Sequence, residues 1–88
     1  LAWTLDYSDT ALKQLRTLDK QTARRILNYL DERVTAGGTP RSAGKPLTGP
    51  LGGLWRYRAG DYRIICDIED AVMRVLVVQI GNRREIYR

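Results

Sequence analysis

The sequence predicts an α+β fold: an antiparallel sheet covered on one face by an N-terminal helical hairpin, with elements in the order β-α-α-β-β-β. Three observations lead there. The first seven residues alternate apolar and polar, and two stretches of helical period follow. Beyond a zone dense in glycine and proline the alternation returns and runs to Ile80. The 88 residues, 43% hydrophobic and 28% charged, provide for one small core, hence one domain spanning 1–88.

Leu1, Trp3, Leu5 and Tyr7 alternate with Ala2, Thr4 and Asp6, the pattern of a strand with one buried face. Ser8 or Asp9 then offers the side-chain acceptor that a helix start needs, and Ala11, Leu12, Leu15 and Leu18 follow at helical spacing. Asp19 is a second cap. Ala23, Ile26, Leu27, Leu30 and Val34 carry the period through a second helix, so the pair forms a hairpin joined near Leu18–Lys20. Residues 37–53 hold all three prolines and six of the eight glycines, a density that excludes a persistent helix or strand. A connection this long inside a compact domain is generally functional, and it carries Arg41 and Lys45. Leu54–Ala59 and Tyr62–Ile68 alternate, and Val72–Ile80 is an almost unbroken apolar run. The short links Ala59-Gly60-Asp61 and Glu69-Asp70 join the three as an antiparallel meander. Val75 and Val77 on one face, with Leu76 and Val78 on the other, put the last strand inside the sheet.

Fifteen basic residues against ten acidic ones leave a net charge of +5; twelve of the fifteen are arginine, and histidine is absent. That removes Ser-His-Asp and Cys-His catalysis, histidine-ligated metals and a histidine acid/base pair. The single cysteine, Cys66, excludes an intramolecular disulfide and a CxxC zinc cluster, and on its apolar strand face it reads as a small buried hydrophobe. Trp3 and Trp55 likewise read as core. No metal or cofactor is expected. No run approaches the roughly 18 apolar residues of a membrane span and no basic-then-apolar leader opens the chain, so a cytoplasmic protein is expected.

The informative segment is Leu54-Trp-Arg-Tyr-Arg-Ala-Gly-Asp-Tyr-Arg63. On a strand, Trp55 and Tyr57 face the helices and Arg56 and Arg58 face away. If Tyr62, Ile64, Cys66 and Ile68 share the core face, Arg63 joins the two arginines across the hairpin. Like charges on adjacent strands repel, so such a cluster suits a polyanion, whose phosphate oxygens match the guanidinium fork in pairs. The same residues also read as solvated arginines paired with Asp61, Asp67 or Glu69. A second basic cluster closes the chain, Gly81-Asn-Arg-Arg-Glu-Ile-Tyr-Arg88. Lys13, Arg16, Lys20, Arg24, Arg25 and Arg33 read as the solvated face of the helical hairpin.

Taken together, the β-α-α order, the Gly/Pro-rich connection, Leu-Trp-Arg-Tyr-Arg-Ala-Gly-Asp-Tyr-Arg-Ile-Ile and the closing Ile-Gly-Asn-Arg-Arg-Glu-Ile-Tyr resemble the RelE/ParE toxin superfamily, and most the RelE branch of type II toxin–antitoxin systems. The resemblance covers essentially the whole chain. It implies a RelE-like fold and a metal-independent, ribosome-dependent endoribonuclease that cuts mRNA in the decoding site and is inhibited by a cognate RelB-like antitoxin. It implies no membrane partner and no small-molecule ligand. The family pattern maps its active site onto Arg56, Arg58, Arg63, Arg83 and Tyr87; Arg41 and Lys45 on the long connection and Arg84 in the closing basic cluster are expected to contact RNA. The best-known pattern has lysines where this chain has Arg56 and Arg58, and arginine does not give up its proton near neutral pH. The proton acceptor is therefore expected to be Glu85 or solvent. Several family members continue into a further helix that the antitoxin displaces; with one residue after Tyr87, inhibition here is expected to use another surface or simple occlusion. Two other readings compete: a ParE-type toxin that inhibits DNA gyrase, and a non-catalytic basic module that binds RNA or protein.

Overall fold

The computed structural model describes residues 3–36 and 38–82. Strand β1 (Thr4–Tyr7) leads through Ser8 into helix α1 (Asp9–Thr17), and Asp19 opens helix α2 (Lys20–Leu30). Both caps act as the sequence predicts. Ser8 Oγ accepts from Ala11 N at 3.1 Å, and Asp19 accepts from Thr22 N at 3.1 Å and from the Thr22 hydroxyl at 2.6 Å. Each satisfies a backbone donor that the first turn leaves free, typically worth about 1 kcal/mol. Beyond Leu30 the chain widens into one π turn, Asp31–Thr35. On an ideal helix an i, i+4, i+8 stripe drifts by about 40° per step. The wider turn offsets that drift, and Ile26, Leu30 and Val34 are all buried.

The sheet has five strands in the order β1-β5-β4-β3-β2, with β2 Lys45–Pro46, β3 Trp55–Ala59, β4 Tyr62–Glu69 and β5 Arg74–Asn82. The three predicted C-terminal strands form the antiparallel meander, turned at β3–β4 by Gly60 and Asp61. Gly60 has φ +61°, as the first position of a tight hairpin turn requires. Two features correct the sequence expectation. The sheet is mixed, because β1 lies parallel to β5; the helical hairpin is the crossover that parallel pairing needs. There is also a strand, β2, inside the breaker-rich connection. It occupies the sheet edge, where a proline without an N–H is tolerated, and only two residues pair.

A bulge between Ile65 and Cys66 shifts the β4–β5 register, so that Ile65 faces Gln79 and Cys66 faces Val77. Strict alternation from Val75 and Val77 would turn Gln79 inward. The bulge turns Ile80 inward instead, and Val75, Val77 and Ile80 are all buried. Ser8 secures this point, donating its N–H to Val77 O at 2.9 Å and its hydroxyl to Val78 O at 3.0 Å. Farther along, the Gln14 side-chain carbonyl accepts from Ile80 N at 2.6 Å. The core is one cluster in which Ala11, Ile26, Leu30 and Val34 from the helical side meet Tyr57, Ala59, Ile64, Cys66, Val75, Val77 and Ile80 from the sheet. Trp3 and Trp55 pack against it, as predicted.

Candidate functional site

The helices cover one face of the sheet, and the pairing register decides what the other face carries. Two cross-strand rows matter. Lys45, Arg56, Ile65 and Gln79 stand opposite one another in sequence across β2, β3, β4 and β5. Next to them run Arg58, Arg63 and Gly81. Directly opposed residues share a face, so Lys45, Arg56, Arg58 and Arg63 all project from the helix-free side, in two cation–cation pairs. The face assignment predicted for Arg56, Arg58 and Arg63 holds. Lys45 was expected on an irregular connection; the unpredicted strand makes it the direct neighbour of Arg56.

Depth differs along the cluster. Arg63 is 8% exposed, Arg56 is half-buried, and Arg58 and Lys45 are open to solvent. The Nε of Arg56 is buried with no hydrogen-bond partner among the described residues. Ile65, beside Arg56 in its row, is 1% exposed although it lies on the face away from the helical core. Gly81, which has no side chain, stands opposite Arg63 on β5. The sequence places the last strand at Val72–Ile80, whereas β5 begins at Arg74 and continues to Asn82.

Of the carboxylates suggested as partners for these arginines, Glu69 is committed to Arg74. Glu69 accepts from Arg74 Nε at 3.0 Å and from Nη2 at 2.5 Å, and Arg74 Nη1 lies 3.7 Å from Asp6. Among the described residues, Arg56, Arg58 and Lys45 form no ion pair. Opposed like charges destabilise a sheet by roughly 0.2–1 kcal/mol per pair. An anion bound across the rows removes that repulsion.

Arg41 does not join the cluster. Its Nη1 and Nη2 donate to the two carboxylate oxygens of Asp70 at 2.8 and 2.9 Å, and its guanidinium lies 6.0 Å from the centre of the Trp55 ring. Trp55 faces the helical side, so Arg41 is held on the opposite side of β3 from Arg56. The pairing holds the Asp70 carboxyl below its ordinary range. The helix cations Lys13, Arg16, Lys20, Arg24, Arg25 and Arg33 are exposed on the other face of the molecule, with Arg33 5.5 Å from the Tyr29 ring centre.

Buried groups nearby are poor proton carriers. Burial, reinforced by Asp67, pushes the Cys66 thiol well up. Burial, with Cys66 and Tyr29 adding to it, raises the Tyr57 phenol, whose hydroxyl donates to Pro40 O at 2.6 Å. Arg83, Arg84, Glu85 and Tyr87 lie outside the described residues. The chain reaches them from Asn82, which stands opposite Tyr62. No helix among the described residues is long and apolar enough to cross a membrane.

Residues 5–87 match the family described as the ParE toxin of the type II toxin–antitoxin system parDE. Toxin RelE of Mycobacterium tuberculosis is 36% identical, over 76% of this chain and 79% of that protein. Among solved structures, the toxin–antitoxin complex RelBE2 from Mycobacterium tuberculosis superposes with a TM-score of 0.80 at 24% identity, covering 97% of this chain and 95% of the matched one. A chromosomal ParDE system from P. aeruginosa gives 0.69 at 12% identity, covering 92% and 96%. The two structural likenesses speak for the fold, and the family match and the curated relative speak for descent. On both grounds the chain belongs to the RelE/ParE superfamily of toxins from type II toxin–antitoxin systems.

Proposed function

We propose that the chain acts as one domain, in the cytoplasm, as a ribosome-dependent mRNA endoribonuclease that stops translation and is held in check by a RelB-like antitoxin. The observation that carries this reading is the register aligning Lys45 with Arg56 and Arg58 with Arg63 on the helix-free face. Four cations there match a run of phosphates, and the 36% identity to a toxin named RelE points the same way.

The reaction is attack of a ribose 2′-OH on the adjacent phosphorus. A P–O bond to the 2′-oxygen forms, the bond to the 5′-oxygen breaks, and a 2′,3′-cyclic phosphate and a 5′-OH result. Arg63, the most deeply set guanidinium, and Arg56 beside it stabilise charge developing on the phosphorane oxygens. One preorganised donor in this role is typically worth about 10²–10³ in rate. Arg58, Lys45 and Arg84 hold flanking phosphates, Arg83 shields charge on the leaving oxygen, which takes its proton from solvent, and Tyr87 stacks on a base or orients the 2′-OH. The proton of the 2′-OH passes to Glu85 or to solvent.

The family match to ParE toxins supports one alternative, inhibition of DNA gyrase. One experiment separates the readings. The purified chain is added to a translating bacterial lysate and mRNA 5′ ends are mapped by primer extension. Cuts at codons in the decoding site, lost in Arg83→Ala and Tyr87→Ala, are the expected result. Intact mRNA together with accumulating DNA–gyrase cleavage complexes would replace this reading with the alternative. Neither effect would leave a non-catalytic basic module.

A further inference from the structure

We propose that Arg41 and Asp70 are positioning residues: their ion pair clasps the 40–46 arm so that Lys45 stays beside Arg56 on the cationic face. The proposal rests on reading that face as the RNA site, and it gives Arg41 a role other than touching RNA. The arm is fastened to β3 and its surroundings at successive points. Pro40 O accepts from the buried Tyr57 hydroxyl, and Ala43 O accepts from the Trp55 indole N–H at 2.8 Å. Lys45 and Pro46 pair with Arg56 and Trp55, and Leu47 N donates to Leu54 O at 2.9 Å. A strand of two residues has too few ladder bonds to hold its own register, so Lys45 is only as well placed as these fastenings.

Of these fastenings, Arg41's is the one that reaches across the sheet. It ties the arm to the β4–β5 turn, 29 residues away in sequence, through a forked pair of hydrogen bonds. Both terminal nitrogens are engaged there and the guanidinium lies over the Trp55 ring, the same ring whose N–H holds Ala43. A guanidinium committed in this way, on the helical side of β3, is turned from the phosphates that Lys45 and Arg56 face. The pair is exposed on both sides, and exposed pairs add little to global stability. Its removal should therefore free the arm without unfolding the domain.

The test is a double-mutant cycle on kcat/KM for mRNA cleavage by the full chain on programmed bacterial ribosomes, comparing Arg41→Ala, Lys45→Ala and both together. Loss of one charged contact to phosphate lowers kcat/KM about tenfold or more. If Arg41 acts through Lys45, Arg41→Ala is damaging alone but adds nothing in the Lys45→Ala background. The swapped pair Arg41→Asp with Asp70→Arg recovers most of the loss. Hydrogen exchange gives a readout independent of cleavage: the Leu47 amide exchanges faster in Arg41→Ala while the melting temperature moves by no more than a few degrees. Multiplying losses in the double variant would overturn the proposal in favour of direct RNA contact by Arg41. An active Arg41→Ala, an unchanged Leu47 exchange rate or a fully active Lys45→Ala would also overturn it. Arg58→Ala separates the two levels: if it too cleaves normally, the cationic face is not the RNA site and the underlying reading fails as well.

Discussion

Gly44 sits where the arm crosses β3, and replacing it with alanine measures how close that crossing is. Its φ is +80°, and a Cβ placed there would run into the carbonyl oxygen of Arg56 and come within 2.5 Å of the Trp55 indole nitrogen. Gly38 is the matched control, with φ +86° and nothing within 4 Å of the added atom. In both, alanine takes on a left-handed conformation at roughly 1–2 kcal/mol, offset by about 0.4–1 kcal/mol from a stiffer unfolded chain. Only Gly44→Ala adds the overlap. One obstacle is backbone and cannot rotate away, so the arm must shift, and overpacking of this kind costs about 1–3 kcal/mol more. The net is about 1 kcal/mol for Gly38→Ala and about 2–4 kcal/mol for Gly44→Ala. For a domain of this size 1 kcal/mol moves the melting temperature by about 4–8 °C. Thermal unfolding followed by far-ultraviolet circular dichroism should therefore put Gly44→Ala at least about 4 °C below Gly38→Ala. Equal melting temperatures would refute the close packing of arm on strand.

Three further outcomes are expected. Arg58→Ala removes one of the two opposed cation pairs, so chemical denaturation should show stability unchanged or raised by about 0.2–1 kcal/mol while cleavage falls at least tenfold. Burial, with Asp31 and Cys66 adding to it, raises the Tyr7 phenol to about 12 from 10.0. A group raised in the folded state contributes stability that is present below its unfolded pKa and lost above it. Denaturant melts should therefore show stability declining from pH 10 towards 12, with that component absent in Tyr7→Phe. Glu85→Gln should lower the cleavage rate and remove a limb of its pH profile; wild-type rates across the whole range would assign the proton acceptor to solvent.

How far the sequence could be read depended on whether the governing interaction was local. Ser8 and Asp19 were legible as caps because a cap needs only its own next three residues. The shared face of Arg56, Arg58 and Arg63 was legible because Gly60 and Asp61 set a two-residue turn, which fixes register by itself. Lys45 beside Arg56 was not, since β2 exists only because Gly44 permits a close approach to β3 and Pro46 finds an edge. The inward turn of Ile80 depends on a bulge held by Ser8, 70 residues from Val78, and no pattern within β5 announces it. Arg41 read as a free cation because its partner, Asp70, lies in a distant turn. The parallel pairing of β1 was hidden for the same reason: alternation reports a buried face and not a neighbour's direction.

Strand β1 pairs with β5 only as far as Val77, while β5 runs on to Asn82. Among the described residues no strand pairs with the outer rim of β5 beyond Val77, and an unpaired strand edge is where chains stack into fibres. Gln14 stops this from within the monomer. Its amide oxygen takes the Ile80 N–H, so that donor is not offered to an incoming strand. One helix side chain closing one backbone donor thus blunts, from within the chain, an edge that another strand could otherwise extend.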